Sequence, residues 1–116
     1  MITFTPTPVF NKNVKRLAKR YPSFIEDLKV FLKDLEKNPE QGTPIGEFRK
    51  IRMTITSKAK GKSGGARVIT VNCLVEEKEG EVFLVTIYDK SHTESITKKE
   101  METAYNSLKK WLSPID

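Results

Sequence analysis

The sequence contains one cysteine, Cys73, and one histidine, His92. A lone thiol excludes an internal disulfide and a multi-cysteine metal site, and a lone imidazole cannot assemble a zinc centre. The acidic residues are scattered over expected helices and turns without paired spacing, so no metal is expected at the site. The longest nearly apolar run, Val82 to Tyr88, is interrupted by Thr86 and falls far short of the roughly 20 residues a membrane-spanning helix needs. At the start, Met1-Ile2-Thr3-Phe4-Thr5 carries no charged leader ahead of an apolar stretch, so the expectation is a cytoplasmic protein without a signal peptide. Glycine and proline are modest at six each, which excludes collagen-like and low-complexity classes. No internal repeat appears. Gly61-Lys62-Ser63-Gly64-Gly65 looks like the end of a phosphate-binding P-loop, but the earlier glycine is missing and the expected flanks are both strands. What remains is 116 residues, 37% hydrophobic and 31% charged, enough for one compact domain spanning 1–116.

The charge is unevenly placed. Lys and Arg number 21 against 15 Asp and Glu, a net +6. Seven of the basic residues, Arg49, Lys50, Arg52, Lys58, Lys60, Lys62 and Arg67, fall between Phe48 and Val68, where no acidic residue occurs. Outside that stretch, 14 basic residues face 15 acidic ones, so the excess is local. A confined surplus creates a focused positive field suited to phosphate, or else a solvated hairpin tip; charge alone leaves both open.

Periodicity supplies the elements. Ile2 and Phe4 alternate with threonines as in a short strand ending at Pro6 and Pro8. Thr7 as N-cap and Pro8 at the first helical position open a helix whose apolar face is Phe10, Val14, Leu17 and Ala18, closed by Tyr21-Pro22. Ser23 with Glu26 reads as a capping box for a second helix bearing Phe24, Leu28, Phe31, Leu32 and Leu35, ended by Asn38-Pro39. A two-residue join makes the pair an antiparallel hairpin lying on a sheet. After a loop with Gly42, Pro44 and Gly46, Ile51, Met53 and Ile55 alternate as a half-buried strand. Ser57 to Gly65 reads as a mobile connection, Arg67 to Leu74 as a strand with Cys73 as a small core residue, Glu77 to Gly80 as a turn, and Glu81 to Tyr88 as another strand. Thr97 with Glu100 repeats the capping box before a last helix, where Trp111 packs on the sheet edge or on a partner chain. The expected fold is α+β: an N-terminal strand, a two-helix hairpin, an antiparallel three-strand meander forming one curved sheet, and a C-terminal helix.

The run Lys50-Ile51-Arg52-Met53, then Gly64-Gly65-Ala66-Arg67-Val68-Ile69, then Leu84-Val85-Thr86-Ile87-Tyr88-Asp89-Lys90 resembles the RelE/HigB superfamily of bacterial toxin–antitoxin toxins. The preceding helix ending in Asn38-Pro39 fits as well, so the likeness covers nearly the whole chain. It implies a RelE-like fold and a small ribonuclease that enters the ribosomal A site, cuts mRNA without metal or cofactor, and is held inactive by a co-expressed antitoxin in a hetero-oligomer. The 2'-hydroxyl would attack the adjacent phosphate, leaving a 2',3'-cyclic phosphate. Growing negative charge on the phosphorane favours fixed cations, and guanidinium forks suit phosphate best.

By the same resemblance, Arg67 matches the arginine after the family's glycine pair, and Lys50 and Arg52 match its basic strand positions. Lys90 stands where the family commonly carries arginine, able to stabilise or protonate the leaving oxygen. The family's C-terminal tyrosine has no clean counterpart, so Tyr88 or His92 is expected in its place, His92 being alternatively an exposed loop residue. Arg49, Lys58, Lys60 and Lys62 are expected to contact RNA phosphates, or, for the three lysines, to serve solubility alone. Two other functions fit the scaffold: a ParE-like poison that binds DNA gyrase without nuclease activity, and a non-catalytic RNA-binding module. Sparse aromatic platforms count against sequence-reading single-strand binding.

Overall fold

The computed structural model describes residues 1–58, 64–76, 78–93 and 95–112, with side chains considered through residue 108. Along the chain run β1 (Ile2–Pro6), α1 (Pro8–Arg20), α2 (Phe24–Lys37), β2 (Thr43–Ile45), β3 (Phe48–Met53), a 3₁₀ turn (Thr56–Lys58), β4 (Ala66–Glu76), β5 (Glu79–Asp89) and α3 (Lys98–Leu112). The five strands form one mixed sheet in the order β1-β5-β4-β3-β2. β1 runs parallel to β5, and the other neighbours are antiparallel.

One strand more is present than the sequence predicts. β2 lies within the expected loop, turning into β3 through Gly46 at φ +61°. It is an edge strand of three residues, which is where a proline such as Pro44 is tolerated, since its missing N–H faces away from the ladder. Glycine and proline therefore concealed it. Of the turn expected over Glu77 to Gly80, Glu79 and Gly80 belong to β5, which starts at Glu79; Glu77 lies outside the described residues.

The helices begin and end for local reasons. Thr7 has extended backbone, and its hydroxyl accepts the Phe10 N–H at 3.0 Å while donating to the Val85 carbonyl at 2.6 Å, so the cap of α1 also docks it on β5. At α3 the capping box forms in both directions: the Thr97 N–H donates to Glu100 and the Glu100 N–H to Thr97 Oγ1. The box expected at α2 does not form. Ser23 has helical backbone and donates its hydroxyl to Asp27 at 2.7 Å, while accepting the Ser57 N–H at 2.9 Å. Asp27 in turn accepts the Thr56 N–H at 2.8 Å. Tertiary partners in the 3₁₀ turn, invisible to a four-residue spacing rule, take over the capping side chain.

Helices cover both faces of the sheet. Phe10, Leu17, Phe24, Phe31 and Leu35 of the α1–α2 hairpin pack on Ile51, Met53, Val68, Leu84 and Ile87. On the other face Met101, Ala104 and Tyr105 of α3 pack on Phe48, Ile69, Val71 and Val85. Cys73, expected in the core, is exposed. It sits where the β4–β5 ribbon extends toward its tip, where Val75 is 84% exposed, so alternation along β4 continues without burial. Trp111 lies beyond the described side chains.

Candidate active site

Sheet register aligns the predicted residues across three strands. Arg52 of β3 stands directly opposite Arg67 of β4, and Arg67 directly opposite Tyr88 of β5. Strand alternation puts Lys50 and Arg52 on the same face as Phe48, the face α3 covers further along. Lys50, Arg52, Arg67 and Lys90 line one groove of about 540 Å³, whose opposite wall is Gln41, Gly42 and Thr43 from the α2–β2 connection.

Arg67 is 6% exposed and donates from Nη1 to the Ala66 carbonyl at 3.2 Å. Burial and the neighbouring Arg52 charge both push its pKa below the usual guanidinium range, and Tyr88 works in the opposite sense. Like charges directly opposite each other cost a sheet stability, so an arginine pair in register is a cost that an anion bound between them would repay. Tyr88 packs in the cluster of Met101, Ala104 and Tyr105, and its buried hydroxyl has no hydrogen-bond partner among the described residues. Burial raises its pKa and Arg67 pulls it back.

The glycine ahead of Arg67 has a steric reason. A Cβ on Gly65 would lie 2.0 Å from the Met53 carbonyl oxygen, and the Gly65 carbonyl accepts the Lys90 N–H at 3.0 Å. Gly65 thus lets the ends of β3, β4 and β5 close together beneath the cations. Gly65→Ala is expected to destabilise by about 1–3 kcal/mol, seen as a lower urea midpoint, because the clash is with backbone that has no rotamer to yield.

Three predicted contacts lie elsewhere. Arg49 shares the hairpin face with Ile51 and donates to the Glu40 carbonyl. Lys58, expected on a mobile tip, is half-buried in the 3₁₀ turn and turns its side chain inward: its ammonium bonds Asp89 Oδ1 at 2.6 Å and Ser91 Oγ at 2.8 Å, 5.4 Å from the Tyr21 ring centre. His92 is exposed, 3.8 Å from Asp89, and lines a different groove between α1 and α3. Lys60 and Lys62 lie outside the described residues. No group of three potential metal ligands occurs among the described residues.

Asp89 is the residue that sequence reading passed over. Burial alone would raise its pKa, yet hydrogen bonds from Lys58, Tyr21 and Ser91 hold the carboxyl well below the usual carboxylate range. It fixes the end of β5, and so Tyr88 and Lys90, to the helical hairpin. An acid closing an apolar strand between Tyr88 and Lys90 is its only trace in the sequence.

The groove therefore presents four cations and, among the described residues that line it, no carboxylate or imidazole. Clustered cations of this kind are suited to phosphate oxygens and to negative charge developing on them. No family model matches the sequence.

Proposed function

We propose that the protein is a metal-independent endoribonuclease of the RelE/HigB kind, the toxin of a bacterial toxin–antitoxin pair, acting on mRNA in the ribosomal A site. One observation carries the reading: Arg52 and Arg67 face each other on adjacent strands, with Lys50 and Lys90 in the same groove. In the proposed reaction the mRNA 2'-oxygen forms a bond to the neighbouring phosphorus and the P–O5' bond breaks. Arg67 and Arg52 hold the non-bridging oxygens, whose charge grows in the transition state. Lys50 grips the adjoining backbone, and Lys90 donates a proton to the departing O5'. The 2'-hydroxyl proton passes to solvent, since the described residues lining the groove include no carboxylate or imidazole. Tyr88 flanks Arg67 on the neighbouring strand. The antitoxin, ribosome and mRNA are the partners of this reading, in the cytoplasm.

The test is primer extension on mRNA recovered from a translating extract. Cuts at A-site codons with cyclic phosphate ends support the proposal. Intact mRNA together with blocked gyrase supercoiling would replace it with the ParE-like reading, and intact mRNA with neither effect would leave a binding module. Because His92 faces the other groove, His92→Ala is expected to change cleavage by less than about twofold. A loss of about tenfold or more in folded His92→Ala would place the imidazole in the reaction.

A further inference from the structure

The wall of the basic groove that faces its cations is a clamped loop. Between α2 and β2, side chains take three successive backbone carbonyls: Gln41 Nε2 donates to Asn38 at 3.1 Å, Asn72 Nδ2 to Pro39 at 2.7 Å, and Arg49 Nη1 to Glu40. Gly42, at φ +94°, brings this wall against β3, since a Cβ there would lie 2.7 Å from the Lys50 carbonyl oxygen. Gln41 is therefore set in place by the backbone on both sides of it. Its amide can face only one way. Nε2 is surrounded by oxygens: the Asn38 carbonyl, the Asp34 carbonyl at 3.5 Å and Asp34 Oδ2 at 3.2 Å. The reverse orientation would press Oε1 against all three, one of them charged, so the nitrogen faces α2 and Oε1 is turned away from it. Oε1 accepts no hydrogen bond from the described residues.

From this arrangement we infer that Gln41 is a specificity-determining residue: its Oε1 accepts a hydrogen bond from the exocyclic amine of a nucleobase in the groove, which disfavours uracil, a base without one. Among the described side chains lining the groove, Lys50, Arg52, Arg67 and Lys90 only donate, Ile51 does neither, and the Thr43 hydroxyl does both. Gln41 Oε1 is the one acceptor there that cannot also donate, so it alone distinguishes an amine from a carbonyl. The inference rests on the nuclease reading in taking RNA as the occupant. With phosphates on the cations of the sheet, the base is the part of a nucleotide that extends toward the opposite wall, and a groove of about 540 Å³ has room for a nucleoside besides phosphate. A carbonyl in place of the amine would set oxygen against oxygen, a mismatch that costs more than a missing contact.

The test titrates nucleoside 3',5'-bisphosphates into the isotope-labelled protein and follows amide shifts by NMR, so it needs neither ribosome nor cleavage. Cytidine is compared with uridine and adenosine with inosine, each pair exchanging an amine for a carbonyl. In at least one pair the amine form is expected to bind about fivefold or more tighter, and in Gln41→Met that ratio should fall below about twofold. Asn72→Ala, which loosens the loop but keeps the acceptor, should weaken all the nucleotides alike and leave the ratio standing. The 2'-deoxy form of the preferred nucleotide should bind within about twofold of the ribose form. Circular dichroism of each variant checks that it is folded. Equal binding within both pairs would overturn the inference. So would a Gln41→Met protein that weakens every nucleotide by one factor, the mark of a merely structural glutamine. Discrimination against the 2'-deoxy form that Gln41→Met abolishes would also overturn it, by assigning Oε1 to the 2'-hydroxyl. Absence of A-site cleavage by the unaltered protein removes the nuclease reading without altering these ratios, so the two fail separately.

Discussion

Arg67→Ala is expected to lower mRNA cleavage by about 10²–10³-fold, the usual effect of removing one fixed donor from a charged transition state. Arg67 is held by the sheet rather than by a loop: it sits between Arg52 and Tyr88 in register, with 6% exposure, so its guanidinium is placed before substrate arrives. Arg67→Lys keeps the charge and loses the planar fork, and should recover only a minor part of the rate. Single-turnover cleavage on programmed ribosomes, with thermal melting as the fold control, reads both. Unchanged cleavage in a folded Arg67→Ala protein would remove the enzymatic reading.

The largest stability effect is expected at Asp89. Asp89→Asn leaves the Lys58 ammonium, 6% exposed, without its carboxylate and should cost about 3–5 kcal/mol, measured by urea unfolding. Replacing both partners, Asp89→Leu with Lys58→Met, should cost less than Asp89→Asn alone, because no charge is then stranded in the interior. The pH dependence has a definite sign. The folded carboxyl titrates below its ordinary value, so its stabilisation is present in full above about pH 4, the unfolded-state pKa, and is lost as pH falls from there toward the folded value. Asp89→Asn should accordingly flatten the acid limb of the stability profile. A variant as acid-sensitive as the unaltered protein would assign that limb to other carboxylates.

The elements most legible in the sequence were those specified locally. Thr7-Pro8 and Thr97 with Glu100 are cap signals whose partners lie within four residues, and both helices begin where predicted. Lys50, Arg52, Arg67 and Lys90 converge because period-2 alternation, combined with antiparallel pairing of β3 and β4, nearly dictates a common face. What failed depended on distant contacts. Ser23 caps nothing because Asp27 and Ser57 capture it. Lys58 looked like one lysine of a solvated run until Asp89, 31 residues away, is seen to hold it. Arg49 counted toward the basic cluster by proximity in sequence, but one position along a strand is the opposite face. The direction each strand residue faces could be anticipated; which of them would find long-range partners could not.

The parallel pairing of β1 with β5 joins Ile2 to Gly80 and Pro6 to Leu84. During synthesis the first strand therefore emerges long before its only neighbour, and the row ending in Tyr88 is completed later still. Closing so long a loop is slow, and a chain still being translated lacks the strand that carries Tyr88 and leads into Lys90. The cationic groove is therefore complete only once β5 has emerged and paired with β4.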